Sequence, residues 1–295
     1  MKKYIELIYT FILVIFTTYV VLDTLVLEKT YQKVENIDNS ISSTSLKSNK
    51  EIVSNSNTYS DDSINITLKE YYENNTKIYV ADVKINDSSL LKTAFAKSSY
   101  GKNITEKTST IANSVNAILA INGDYYGVQE RGYVLKNGVI YRDTPVNNKE
   151  DLVIYKDGSF EIIKENEISL EELLSKGAYN VLSFGPALVE DSNISVSKNQ
   201  EVGKAMASNP RTAIGIISDN HYVFVVSDGR TNESEGLSLY ELADFMKKIG
   251  CTTAYNLDGG GSSTMYFNGE IINNPTTNGK RINERSISDI VYVGY

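Results

Sequence analysis

Apolar residues along this chain fall into three regimes. Over residues 4–27 they are nearly continuous, broken only by Glu6 and Asp23. From Thr30 to about Asp62 they are single aliphatics scattered among Ser, Asn, Thr, Lys and Glu, and from about Ile64 to Tyr295 they recur mostly with the two-residue period of strands. Three parts are therefore expected: an N-terminal transmembrane segment over residues 1–29, a flexible polar linker over 30–63, and one folded domain over 64–295. The first run is hydrophobic all round rather than striped, which separates it from an amphipathic core helix. With its flanks it reaches the length of about 20 residues that a bilayer requires. A cleaved signal and an uncleaved anchor compete for it, and the lack of an Ala-x-Ala-like pair after the run favours the anchor. Lys2 and Lys3 before it, with few basic residues directly after, predict a single pass through the cell membrane with the domain extracytoplasmic. The linker composition buries too little apolar surface to offset its ordering entropy.

Within the domain, residues 77–85 alternate, with Ile78, Val80 and Asp82 set against Tyr79, Ala81, Val83 and Ile85, a half-buried strand pattern. Asn137-Gly138, Asp157-Gly158 and Asn268-Gly269 each separate two apolar runs and predict type I′ hairpin turns. Ser169 and Ser238 each precede a Glu three residues on and a helical stretch ending at Gly177 and Gly250, and a weaker helix covers 108–116. No sustained alternation of strand and helix argues for a parallel sheet. The fold expected is α+β, with strand-rich mixed or antiparallel sheets and a few flanking helices in a single domain behind the membrane anchor.

Composition removes several functions. With 29 basic against 37 acidic residues, a net charge of −8, and no basic run longer than two, the chain is unsuited to nucleic acid. One cysteine, Cys251, excludes an internal disulfide, and one histidine, His221, leaves no Cys/His zinc set. No motif asks for a metal or another cofactor. His221 reads as a loop residue without a catalytic role, and Cys251 as core.

Polar residues instead collect in four clusters at the ends of apolar strands: AINGDYYG over 120–127, SNPRTAIG over 208–215, VSDGR over 226–230 and NLDGGGSST over 256–264. Each sets a carboxylate or guanidinium beside glycines that let a ligand approach the backbone. The fourth presents Asn256, Asp258, the unobstructed N–H groups of Gly259, Gly260 and Gly261, and the hydroxyls of Ser262, Ser263 and Thr264, which together suit an anion-binding nest. A glycine-rich bend capped by Asp258 is the plainer alternative. It has neither the Lys of a phosphate loop nor the spacing of an EF-hand. All six arginines follow the first cluster, in a chain whose other basic residues are lysines, as though placed where a planar bidentate fork is needed. Arg211 and Arg285 are expected either to hold a ligand or to pair internally with Asp228 or Asp289; Arg131, Arg142 and Arg281 read as surface or structural. Asp124, Asp228 and Asp258 are the candidates for acid, base or nucleophile, and Tyr125 and Tyr126 for stacking on a sugar.

With AINGDYYG, SFGPALV, NPRTAIG, VVSDGR, GLSLYELADFMKKIG, NLDGGGSSTM and RSISDIVYV in this order, the chain from about 117 to 293 resembles the phosphodiester glycosidase family. The resemblance implies hydrolysis of the bond between a sugar's anomeric carbon and a phosphodiester, as in α-N-acetylglucosamine-1-phospho compounds, releasing free sugar and a phosphomonoester. It implies Asp258 and Asp228 as nucleophile or base, and Asp124 as second acid or as a holder of sugar hydroxyls. Arg211 and Arg285 with the nest at Gly259–Ser262 would hold the phosphate, and Asn122, Arg230, Asn256 and Thr264 would complete the binding set. The implied partner is a sugar phosphodiester or phosphorylated cell-surface glycan, in envelope or exopolysaccharide material. Animal members carry a cysteine-rich C-terminal module and a Golgi tail where this chain has an N-terminal anchor, so their cellular substrate is not carried over. Two other readings use the same residues: a non-catalytic module binding anionic surface polymer, and a transferase of envelope-polymer assembly. Three carboxylates near a bound phosphate would only weaken simple binding by repulsion, which favours chemistry.

Overall fold

The computed structural model describes residues 2–34, 53–201 and 208–295. Helices α1 (Lys2–Leu25), α2 (Thr108–Ser114), α3 (Leu170–Ser175) and α4 (Leu239–Lys248) accompany sheets whose strand pairings among these residues are all antiparallel. The larger sheet has nine strands, in the order Asn193–Ile194, Ala187–Glu190, Thr253–Asn256, Thr212–Ser218, His221–Ser227, Thr76–Ile85, Ile64–Glu73, Thr58–Ser60 and Val53–Ser54. A second sheet of five runs Glu270–Ile271, Met265–Phe267, Leu119–Asn122, Asp289–Val293 and Leu91–Phe95. The main core, with Ile66, Ile121, Phe224, Tyr255, Met265 and Val291, draws on both sheets. Helix α4 covers the other face of the large sheet with Leu239, Leu242, Phe245 and Met246, and α2 does the same for the small sheet with Ile111 and Ala112. The strand-rich α+β reading thus stands as a four-layer arrangement.

Local signals explain most boundaries. Ser238 Oγ accepts from the Glu241 amide at 3.2 Å while the Glu241 carboxylate accepts from the Ser238 amide at 2.8 Å, a complete capping box at the start of α4. The helix stops before Gly250, whose φ of 98° is the left-handed conformation of a helix end. Asn137-Gly138 and Asn268-Gly269 have positive φ at both positions, as a type I′ turn requires. Asp157-Gly158 differs, because only Gly158 is positive. There the Asp157 carboxylate accepts from the Ser159 amide at 2.9 Å, and this side-chain turn stabilises a longer connection. Strand Thr76–Ile85 is buried on both faces rather than one. Ile78 and Val80 lie under α4, while Tyr79, Ala81 and Val83 enter the main core.

Helix α1 spans 24 residues, about 36 Å at 1.5 Å per residue, and residues Lys3–Leu25 are long and apolar enough to cross a membrane. Its end is tied to the domain: Asn103 Nδ2 donates to the carbonyls of Thr24 and Leu27 at 3.2 and 3.1 Å, and Lys29–Lys33 pairs with Ser99–Lys102. The stretch expected as linker therefore contains one strand at its start and, at Val53–Ser54 and Thr58–Ser60, two more that extend the large sheet. Residues 35–52, most of that linker, lie outside the described residues.

Candidate active site

Strand Thr253–Asn256 belongs to the large sheet and Met265–Phe267 to the small one, so residues 257–264 cross from one layer to the other at one end of the sandwich. Asn122, at the end of its strand, fastens this crossing. Its Nδ2 donates to the Asp258 carbonyl at 2.6 Å, and its Oδ1 accepts from the Thr264 amide at 3.2 Å and from Thr212 Oγ1 at 2.8 Å. The three glycines are required by what presses on them. The Gly260 amide donates to the Pro210 carbonyl at 2.8 Å. A Cβ on Gly259 would stand 2.9 Å from that same oxygen, one on Gly260 2.9 Å from Arg230 Nη2, and one on Gly261 2.7 Å from Arg285 Nη2. The backbone thus lies directly against two guanidinium groups.

Asp258 is half-buried, and its amide donates to the Gly123 carbonyl at 3.2 Å. Burial raises its carboxyl above the ordinary range against the opposing pull of the Ser262 hydroxyl, Arg285 and the Gly259 amide; Asp124 adds to the rise. Asn256 Oδ1, Asp258 Oδ2, Ser262 Oγ, Ser263 Oγ and Thr264 Oγ1 are buried with no hydrogen-bond partner among the described residues. Five such atoms within nine residues are a concentration that folded interiors avoid unless a ligand satisfies them. Asn256 Nδ2 itself donates to the Gly185 carbonyl at 2.8 Å.

The arginines divide. Arg230 forks onto Asn209 Oδ1 at 3.2 and 2.8 Å and donates to the Thr277 carbonyl at 2.5 Å; burial first, then the neighbouring Arg285, lowers its pKa. Arg285 makes no hydrogen bond to another described residue and stands over Gly261 near Asp258. Arg211 is 3% exposed, donates from Nε to the Leu237 carbonyl at 2.8 Å and pairs with Glu201 at 2.9 Å. Among the described residues its ionic partner is thus Glu201, and neither Asp228 nor Asp289. Asp228 accepts from the Asn274 amide at 2.8 Å, Asn274 Nδ2 at 3.0 Å and the Tyr79 hydroxyl at 3.2 Å. Asn273 Nδ2 bridges from Asp228, at 3.4 Å, to the Ser263 carbonyl, at 2.9 Å, and so connects Asp228 to the glycine run.

Asp124 lies behind this surface, fully enclosed. Lys136 Nζ stands 2.9 Å from Asp124 Oδ2 and 2.8 Å from Asp289 Oδ2, and all three side chains are 2% exposed or less. The Ser183 and Tyr126 amides donate to Asp124 at 3.0 and 3.2 Å, while the Asp124 amide donates to Asp289 at 3.1 Å. Burial alone would raise Asp124, but the Lys136 ammonium beside it holds the carboxyl below the usual range. Asp289, with burial and the Asp124 charge against it, is pushed up to about 6. Lys136 was not among the expected residues, and Asp289 was expected only as a possible internal partner of Arg211 or Arg285. The available signal was a lone charge inside each of two apolar strands, YVLKN and SDIVYV, since such residues are rarely buried unless paired.

The structure therefore gathers Asn122, Arg211, Asp228, Arg230, Asn256, Asp258, Gly259, Gly260, Gly261, Ser262, Thr264 and Arg285 around one end of the sandwich, with Asp124 in the layer beneath. Tyr126 is buried among Phe95 and Tyr100, whereas Tyr125 is 40% exposed. His221 pairs with Asp82 at 2.9 Å, and Cys251 is core, its thiol pushed up to about 12 by burial. No group of three or more His, Cys, Asp or Glu is placed to hold a metal among the described residues.

Residues 115–294 match the family model of the phosphodiester glycosidases. The chain is 30% identical over 201 residues to the SPbeta prophage-derived protein YomE of Bacillus subtilis, covering 66% of this chain and 31% of that one. It is 31% identical over 122 residues to human N-acetylglucosamine-1-phosphodiester alpha-N-acetylglucosaminidase, covering 40% of this chain and 24% of that one. The chain spans about a third or less of the curated relatives it matches. Among solved structures, the zebrafish catalytic domain of that enzyme, auto-inhibited by its pro-peptide, aligns with a TM-score of 0.62 at 21% identity, over 79% of this chain and 83% of that one. A hypothetical protein from Synechocystis aligns at 0.54 and 16% identity, over 79% and 62%. At these identities the structural likeness is one of fold.

Proposed function

We propose that this chain, which belongs to the phosphodiester glycosidase family, hydrolyses the bond between a sugar's anomeric carbon and a phosphodiester. The observation that carries the reading is Asp258 Oδ2 beside the Arg285 guanidinium, neither with a hydrogen-bond partner among the described residues, across a backbone stripped of side chains. With Asp258 as base, water's oxygen bonds to the anomeric carbon and gives one proton to the Asp258 carboxylate, while the bond from that carbon to the phosphate oxygen breaks and its electron pair leaves with the phosphate. With Asp258 as nucleophile, its ester to that carbon forms as the phosphate leaves, and water then displaces the carboxylate, its proton passing to solvent. Phosphate is already a good leaving group, so charge stabilisation and geometry matter more than a strong general acid. Arg285 and Arg230 hold the phosphate against the side-chain-free glycine run. Arg211, engaged by Glu201 and the Leu237 carbonyl, supports the floor instead.

Asp258 acts at the anomeric carbon as nucleophile or base. Asp228 orients Asn273 and Asn274 beside it, and Asp124 acts from the second layer, through its charge and through the Gly123 backbone. The α1 helix anchors the domain on the outer side of the membrane, which directs the activity to envelope or exopolysaccharide material. The test is incubation of the full chain in detergent with UDP-N-acetylglucosamine, a sugar-1-phosphodiester surrogate, beside Asp258→Asn. Free N-acetylglucosamine from the native chain alone is the expected result. Binding without release would move the protein to a binding module, and sugar transferred to an added acceptor in place of water would make it a transferase.

A further inference from the structure

A concave site lies away from the glycine run, along the edge strand Leu91–Phe95 of the small sheet and beside the strand Lys29–Lys33 that follows α1. It encloses about 580 Å³, within the range of small-ligand sites. Its charge is the notable feature. In a chain with 37 acidic residues in 295, about two would fall by average among its 18 described lining residues, and none of these is Asp or Glu. The ammonium groups of Lys33 and Lys92 line it without a hydrogen bond or ion pair to another described residue. Lys92 is half-buried and senses only Asp87 through space; burial lowers its pKa. Lys136 also contributes to the wall, but its ammonium is turned to Asp124 and Asp289, so the free positive charge is that of Lys33 and Lys92. Tyr141, Tyr179 and Tyr292 add aromatic rings to the lining, beside neutral polar side chains such as Thr93 and Asn137.

We infer that this cavity is an accessory site for an anionic saccharide, separate from the glycine–arginine end. Tyrosine rings suit the apolar faces of a sugar while their hydroxyls reach its polar rim, and two uncompensated ammonium groups suit a phosphate or carboxylate on it. Its position beside the strand leaving α1 would let the domain hold a charged glycan near the membrane while the other end is free to act.

The probe is trehalose 6-phosphate, a phosphomonoester disaccharide with no phosphodiester to cleave, titrated calorimetrically against the full chain in detergent. The paired change Lys33→Ala with Lys92→Ala should weaken binding at least about tenfold, as loss of a charge-assisted contact would. Tyr292→Ala should weaken it less, and Arg285→Ala should leave it unchanged. Because Lys92 has no bonded partner to strand, a native thermal transition is expected in the lysine variant. Neutral trehalose should bind at least about tenfold more weakly than its phosphate. The inference is overturned if the probe fails to bind, if Arg285→Ala rather than the lysine pair abolishes binding, or if inorganic phosphate binds as well as the sugar phosphate. It is equally overturned if only anionic phospholipid vesicles engage the two lysines.

Discussion

The glycine–arginine surface and the Asp124–Lys136–Asp289 cluster lie in adjacent layers, and both are built from aspartates and long basic side chains. Their electrostatics are opposite. At the glycine run, Asp258 Oδ2 and the Arg285 guanidinium have no hydrogen-bond partner among the described residues. In the layer beneath, Lys136 stands between two carboxylates at 2.9 and 2.8 Å, and backbone amides take much of what remains. One region leaves its polar groups for a ligand and the other spends them on itself. An aspartate beside a glycine is therefore not yet a catalytic aspartate; what decides is whether its oxygens are already taken.

The comparison can be broken most forcefully at its two centres. Asp258→Asn should lower the rate of sugar release by ~10²–10⁴-fold, the range of a lost acid–base or nucleophilic group, with no loss of stability at neutral pH, because the charge it removes is one that burial disfavours. Rate and thermal transition measured on the same preparation check both halves. Lys136→Met should do the reverse and unfold the domain more easily, by about 3–5 kcal/mol in denaturant titrations, since it strands two buried carboxylates. A Lys136→Met protein as stable as the native one would mean that the cluster is not compensated as described.

Much of this was legible in the amino-acid pattern. The capping box at Ser238, the Asn-Gly hairpins and the four polar clusters are local features whose physics is complete within a few residues. What was not legible depends on contacts between distant segments. Lys136 and Asp289 are 153 positions apart and meet only because two sheets fold on one another, and Glu201 reaches Arg211 from outside every recognised cluster. The two-sided burial of Thr76–Ile85 escaped for a similar reason: a strand's own alternation does not show that α4 covers its second face.

Smaller effects sharpen the picture. Arg285→Ala should slow release by ~10²-fold or more, by analogy with removing one donor to a developing negative charge, whereas Arg211→Lys should act mainly on stability, visible as a lower thermal transition. The pH dependence of folding separates the layers further. Asp289 has a folded pKa of about 6 against an ordinary 3.8. Its contribution to stability is therefore full below 3.8 and is lost as the pH rises to about 6. The stability of native protein relative to Asp289→Asn should decline over that window in denaturant titrations, and a flat difference would contradict the charge balance assigned to the cluster.

The most direct measurement is hydrolysis of the sugar-1-phosphodiester surrogate in ¹⁸O-labelled water, with prompt mass analysis of both products. Attack at the anomeric carbon, with Asp258 at the sugar and Arg285 and Arg230 on the departing phosphate, places the label in the free sugar. Label in the phosphate instead would mean that the phosphorus–oxygen bond breaks, and the glycosidase assignment of the glycine–arginine site would be wrong.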